Sequence, residues 1–232
     1  MKTVLIVGGT RGLGWATSEA FARAGWQVVA TWHQDQESAE RAAKKLGTEG
    51  MVVKADGGDM LDVRRVADLE AVQKTTQLIY IHNAATPFVP KPLHLNFWDD
   101  YEKQMAVGLR SLQQFTSLLL PLMARSKYGR IVPILTRAIH TPVPKGMVAY
   151  LTNKAAMLAF SRCLEVEYQN QGIHSFCVEP SFMESAYTKN WPEGIRVEAE
   201  KSLTTEPSVL ASKIVERCLE TSAGSGGIEL QG

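Results

Sequence analysis

Cysteine is scarce in this chain. Its 232 residues hold three, Cys163, Cys177 and Cys218. An odd, scattered set of this kind suits neither a disulfide framework nor a metal site, and implies reduced thiols. Surplus charge is absent too. Twenty-five Lys and Arg face 24 Asp and Glu, leaving a net charge of +1. That is too little to draw the chain to nucleic acid or to an anionic membrane. Long apolar runs are missing: residues 118–123 form one of the longest, far below a bilayer span. The apolar stretch within residues 1–7 is short for a signal peptide and no small-residue cleavage site follows it, so a cytoplasmic location is expected. There is no Pro/Ser-rich linker, no fixed-period repeat and no low-complexity tract. A single domain over residues 1–232 is therefore expected, and the chain is long enough to bury a large core.

What is present is alternation. Apolar or β-branched runs at residues 3–7, 27–31, 51–54, 78–82, 130–135, 174–178 and 227–230 read as strands. Helical patterns separate them, at residues 15–24, 37–46, 60–74, 99–123, 150–169 and 205–219. Gly25 and Gly47 end the first two helices, Pro121 predicts a kink or end in the fourth, and Thr205 with Pro207 suits the start of the last. Six strand–helix pairs and a closing strand predict an α/β fold: a doubly wound, seven-stranded, mostly parallel sheet with helices on both faces. The irregular stretch 181–204, with Trp191, Pro192 and Gly194, is the expected lid.

The turn after the first strand reads Val7-Gly8-Gly9-Thr10-Arg11-Gly12-Leu13-Gly14. Glycines let a backbone turn tightly and approach a ligand, and the helix that follows offers unpaired N–H groups and a positive dipole end to a phosphate. The Gly-x-x-x-Gly-x-Gly spacing differs from the Gly-x-Gly-x-x-Gly fingerprint, and no Gly-Lys-Ser/Thr follows. A dinucleotide is the expected ligand. An acid ending the second strand would grip both ribose hydroxyls and repel a 2′-phosphate. Here that end reads Trp32-His33-Gln34, with no acid before Asp35. Arg11 in the glycine turn could pair with the phosphate, so NADPH is expected over NADH. Trp32 either covers the adenine or packs on the surface.

Tyr150 and Lys154 lie one helical turn apart on one face. An ammonium near a phenol lowers the phenol's pKa, and such a phenol can protonate a carbonyl oxygen. No carboxylate pair or His cluster suggests a metal.

With these motifs the chain resembles the short-chain dehydrogenase/reductase family, and within it the 3-oxoacyl-carrier-protein-reductase-like branch, over nearly all of its length. Gly8, Gly12 and Gly14 fall on the family's glycine motif, and Tyr150 and Lys154 on its catalytic pair. His82-Asn83-Ala84-Ala85 matches its Asn-Asn-Ala-Gly stretch, Asp56 its adenine-side acid, and Val178-Glu179-Pro180-Ser181 the Pro-Gly segment beside the nicotinamide. The resemblance implies a Rossmann-type sheet and a cofactor site of Gly8, Thr10, Arg11, Gly12, Leu13, Gly14, Trp32, His33, Asp56 and Gly57. The site continues through Asn83, Ala84, Ala85, Tyr150, Lys154, Pro180, Ser181 and Met183. It also implies hydride transfer to a substrate carbonyl, with a 3-oxoacyl thioester on a carrier protein or a secondary-metabolite ketone as substrate. A homodimer or homotetramer through the two long helices is implied as well. Leu112, Phe115, Leu118, Leu119 and Leu122 give the first of these a broad apolar face.

The chain departs from the family pattern in places. Thr136 falls on the serine that holds the substrate carbonyl, keeping the hydroxyl but adding a methyl. Ala85 and Ser181 replace glycines, and Pro133 sits where a strand needs a donor. The family's asparagine in the long fourth helix holds a water that relays protons to the lysine; Met105 falls there, and a thioether cannot anchor a water as an amide does. That loss keeps two alternatives open: a dehydratase, aromatase or isomerase without net redox, and an NADP-binding protein that acts only through a partner. Met147, Phe182, Trp191, Leu95 and Phe97 are candidate pocket residues, His140 is expected at the surface, and Cys163 and Cys177 are expected to be buried.

Overall fold

A computed structural model of the chain describes residues 1–140, 143–183, 188, 190–200, 206–220 and 230–231. Six strands form one parallel sheet: β1 (Lys2–Val7), β2 (Gln27–Trp32), β3 (Gly50–Lys54), β4 (Gln77–His82), β5 (Gly129–Pro133) and β6 (Ile173–Ser175). Their order is β3-β2-β1-β4-β5-β6. The connections reverse direction between β1 and β4, and the crevice at that point is where open α/β sheets take their ligands. β1 has Val4, Leu5 and Ile6 fully buried, as expected of a strand covered on both faces.

One layer holds α1 (Gly12–Arg23), α2 (Gln36–Leu46) and α9 (Pro207–Leu219), which bury Phe21, Leu46, Leu210 and Ile214 against the sheet. The opposite layer holds α3 (Met60–Ala67), α4 (Glu70–Gln73), α6 (Ser111–Ser126) and α7 (Val148–Tyr168), which bury Val63, Val72, Phe115 and Met157. Each such side chain stabilises the fold by roughly 1.5–3 kcal/mol. Among the described residues no helix is long and apolar enough to cross a membrane.

The differences from the sequence reading have local causes. The helix predicted over 60–74 is two helices, because Leu69 takes extended backbone between α3 and α4. The helix predicted over 99–123 is α5 (Trp98–Met105), a π-helical turn (Ala106–Arg110) and α6. The break is at Gly108, while Pro121 lies inside α6. The strand predicted over 174–178 is β6 followed by the short β7 (Val178–Glu179), and β7 pairs in parallel with β8 (Leu230–Gln231). Pro133 explains the split. The ladder runs from Phe176 N–H to Ile131 C=O, then from Leu135 N–H to Val178 C=O. Between them the donor would be residue 133, and proline has none. Most of the closing strand predicted at 227–230, and the Thr205 cap, lie outside the described residues; Glu206 stands before Pro207 at the start of α9.

Candidate active site

The glycine turn joins β1 to α1 at the crevice. Gly8 (φ +79°) and Gly12 (φ +53°) take left-handed backbone. Crowding requires glycine at residue 14, where a Cβ would lie 2.1 Å from the Gly8 carbonyl oxygen and 2.5 Å from Asn83 Nδ2. A Cβ on Gly12 would meet nothing within 4 Å, so the turn opens there to free space. Its hydrogen bonds fix its shape. Gly8 N–H donates to Thr31 Oγ1 (3.2 Å), Ser18 Oγ to the Gly9 carbonyl (2.9 Å) and Asn83 Nδ2 to the Gly8 carbonyl (2.8 Å). Leu13 faces inward to the core and Thr10 is buried. Among the described residues no side chain caps α1, and no acid stands in its first turn. The first N–H groups of α1 thus lack a side-chain acceptor and suit a pyrophosphate.

Around the second strand, Trp32 lies under the Lys54 ammonium (5.4 Å), and His33 Nε2 is 3.7 Å from Asp56 Oδ2. Asp56 also accepts from Gly58 N–H (2.8 Å), and Gly57 passes close to Ser111. Arg11 Nη1 is 3.6 Å from Asp35 Oδ2, so the arginine expected to meet a 2′-phosphate faces a carboxylate. Asp35 caps α2, and its hydrogen bonds from Ser38 hold its pKa below the usual carboxylate range. Arg11 remains half-exposed, and its guanidinium is open to a second anion.

Asn83 follows β4 and braces the glycine turn, and Ala84 packs on Gly8. Ala85 continues this half-buried loop. On the far side, Arg137 N–H donates to the Pro180 carbonyl (2.9 Å) and Met183 packs on the α1/α9 core. Ser181 is buried, and its hydroxyl has no hydrogen-bond partner among the described residues. An orphaned hydroxyl, an uncapped helix start and a glycine cradle together fit a dinucleotide laid across the crevice.

Tyr150 sits in the first turn of α7 and Lys154 one turn later. Thr136, which follows β5, is near enough to the Tyr150 hydroxyl to draw its pKa down. Lys154 is buried, its Nζ donates to the Ile134 carbonyl (2.6 Å) and it lies 5.8 Å from the Tyr150 ring centroid. The expectation that the ammonium lowers the phenol's pKa is not met in this geometry. Burial pushes Tyr150 up to about 12 and outweighs the lowering influence of the Thr136 hydroxyl. Burial likewise brings Lys154 down to about 8, against an opposing influence from Cys177.

Tyr150 borders a cavity of about 330 Å³ whose lining includes Phe88, Lys91, Asn96, Lys103, Gln104 and Met147. Phe88 stacks on Tyr150 (4.7 Å between centroids, 19° between planes) and Trp191 Nε1 donates to the Phe88 carbonyl (3.1 Å). Phe182 packs on Trp191. Of the expected pocket residues Met147 lines the cavity; Leu95 and Phe97, 47% and 68% exposed, do not, nor do Phe182 and Trp191. Residues 184–187, 189 and 201–204 of the expected lid lie outside the described residues.

Sequence reasoning missed several groups. His140 is 40% exposed, as expected of a surface residue, but its Nε2 is anchored to the fully buried Glu179 (2.7 Å). Cys163 is exposed, not buried, while Cys177 is buried. His82 ends β4 fully buried, its Nε2 on the Val107 carbonyl (3.0 Å) and its Nδ1 on the Tyr80 hydroxyl (2.8 Å). Met105 lies just before the π-helical turn. Within that turn Gly108 packs on the Asn153 amide. A glycine in the middle of a helical pattern was the available signal.

Fold and site define a dinucleotide-dependent oxidoreductase architecture. A sequence profile described as short chain dehydrogenase matches residues 2–196. The chain belongs to the short-chain dehydrogenase family, whose enzymes interconvert CH–OH and C=O groups. It is similar to the oxidoreductase UcpA of Salmonella typhimurium, 26% identical over 208 residues that cover 88% of this chain and 78% of that one. In fold it resembles the 3-ketoacyl-(acyl-carrier-protein) reductase of Brucella melitensis complexed with NADH. That likeness has a TM-score of 0.88 at 21% identity, and covers 99% of this chain and 96% of that one. It also resembles a closed form of serine dehydrogenase complexed with NADP+, with a TM-score of 0.85 at 21% identity over 99% and 94% of the two chains.

Proposed function

We propose that this protein is an NADPH-dependent ketoreductase in which Tyr150 protonates the substrate carbonyl oxygen. The observation that carries the reading is Tyr150 on the cavity wall, with Thr136 near its hydroxyl and the Lys154 ammonium 5.8 Å from its ring centroid. The dinucleotide, when bound, supplies the hydride. The chain does the rest. Thr136 and Tyr150 present two hydroxyls to one carbonyl oxygen, and the Phe88 and Trp191 rings exclude water from it. A phenol at about 12 keeps its proton at neutral pH, which suits the reduction direction; using it as a base for oxidation demands alkaline conditions. Lys154 places a positive charge beside the phenol and, by the family pattern, holds the nicotinamide ribose.

Cofactor preference rests on Arg11. The 2′-phosphate must draw the guanidinium from Asp35, which a bidentate phosphate contact can do. The cavity combines Phe88 and Met147 with Lys91, Asn96 and Lys103, which suits a compact polar ketone or the 3-oxo end of an acyl thioester, free or carrier-bound. Leu118 and Leu122 of α6 and Phe160 of α7 are only partly covered, which favours a homodimer or homotetramer. The free thiols suit a cytoplasmic location. The test is NADPH oxidation with ketones and acetoacetyl-coenzyme A, products being identified by mass. A gain of two hydrogens supports reduction; loss of water points to a dehydratase. Tyr150→Phe is expected to lower kcat by about a hundredfold or more, and unchanged turnover in that variant sinks the assignment.

A further inference from the structure

The helix that precedes the catalytic helix in space is opened at one turn, and the opening is occupied. Across Ala106–Arg110 the backbone is π-helical. Such turns leave groups that the ordinary i to i+4 ladder would satisfy, and they recur at functional sites. Here side chains from outside the helix take those groups on either side of Gly108. His82 Nε2–H donates to the Val107 carbonyl (3.0 Å), and Leu109 N–H donates to Asn153 Oδ1 (3.1 Å). A carbonyl can only accept, so His82 carries its proton on Nε2.

Gly108 is what admits the second clamp. A Cβ there would stand 2.1 Å from Asn153 Nδ2 and 2.5 Å from Oδ1. The amide of Asn153 thus fills the space that a side chain at residue 108 would occupy. Asn153 is 3% exposed, and its Nδ2 reaches Met157 Sδ at 3.8 Å. It is also the immediate neighbour of Lys154. On the other side, His82 precedes Asn83, the brace of the glycine turn. One continuous strut therefore runs from the glycine turn through β4 and the π-helical turn to the helix that carries Tyr150 and Lys154.

We propose that Asn153 is a positioning residue for Lys154: its amide, delivered from α7 into the Gly108 cradle, sets the register between the opened turn and the Tyr150–Lys154 face. The pair is reciprocal, glycine on one helix and amide on the other. It supplies from α7 the amide that Met105 does not provide from the other helix. The inference rests on the reading of Tyr150 and Lys154 as the working pair.

The experiment follows the Lys154 side chain in the full-length protein by NMR, using 13Cε-labelled lysine, alongside thermal unfolding. The titratable groups facing Lys154 are Tyr150 on its own helix, His82 at the end of β4 and Cys177 after β6. Four variants are compared. Gly108→Ala alone is expected to unfold at a clearly lower temperature, and Gly108→Ala with Asn153→Ala to recover most of that loss, since the clash needs both side chains. In Asn153→Ala the Lys154 midpoint is expected to move by about half a pH unit or more, because its helix has lost its register. In Gly108→Asn with Asn153→Ala, which returns an amide from the opposite side, the midpoint is expected back within about 0.3 units of wild type. A Lys154 midpoint identical in wild type and Asn153→Ala overturns the proposal, as does a Gly108→Ala variant as stable as wild type. Active Tyr150→Phe protein overturns the ketoreductase reading instead, and leaves the titration result standing.

Discussion

His82 makes the protein's acid sensitivity calculable. Its ring is fully buried, and both nitrogens are satisfied in the neutral form, one by the Val107 carbonyl and one by the Tyr80 hydroxyl. Burial, with the nearby Lys154 charge adding to it, brings the His82 pKa from 6.5 down to about 3. The unfolded chain then binds the proton that the folded one refuses between those two values, so stability falls as pH falls through that window and is flat above it. Each pH unit in the window costs about 1.4 kcal/mol. Going from pH 6.5 to 5 thus removes roughly 2 kcal/mol, a fall in Tm of about 4–8 °C for a chain of this size. His82→Asn keeps a donor for Val107 and removes the titration. Asp35, Asp62 and Asp100, whose hydrogen bonds hold them below the usual range, titrate in both proteins and cancel in the comparison. Thermal unfolding of wild type and variant at pH 7 and pH 5, at matched ionic strength, reads the difference directly. If the wild type loses no more than His82→Asn over that interval, the buried neutral imidazole is refuted.

Three further outcomes are expected. Gly14→Ala drives a Cβ into the Gly8 carbonyl and the Asn83 amide, and should cost about 1–3 kcal/mol in a melt and abolish saturable NADPH fluorescence; tight binding in this variant would show that the turn does not seat the dinucleotide. Arg11→Ala should raise the KM for NADPH by about tenfold or more while leaving that for NADH nearly unchanged, and an equal effect on both would remove the 2′-phosphate role. If the ammonium form of Lys154 is the working one, kcat/KM for ketone reduction should decline as pH rises through about 8, by roughly tenfold per unit beyond. A profile flat to pH 9.5 counts against that role.

Periodicity and punctuation made most of the fold legible. Strands of continuous apolar residues, such as β1 and β4, announce themselves because both faces are covered. Gly25 and Gly47 end helices at left-handed backbone positions, which no β-carbon tolerates well. The glycine turn and the Tyr150–Lys154 pair were legible because each is local. What escaped is what depends on the approach of distant segments. The Phe88 ring over Tyr150 joins residues 62 positions apart, and no spacing rule encodes it. The same holds for Arg11 meeting Asp35, which hinges on how α2 is capped. Tyr150's raised pKa was missed because the sequence places an ammonium near a phenol but says nothing of how deeply both are enclosed. Gly108 stands within a helical pattern, yet only the packing of two helices shows that its missing side chain is replaced by Asn153.

Pro133 has a wider effect than one lost donor. Beyond Ser175 the chain is stitched to β5 and the loop after it by a few bonds, among them those from Phe176 to Ile131, Leu135 to Val178 and Arg137 to Pro180, instead of an unbroken ladder. The wall from Val178 to Met183 is therefore mechanically a separate panel hung on the sheet's rim. Exchanges of sequence in that panel can reshape this end of the crevice without disturbing the six-stranded sheet.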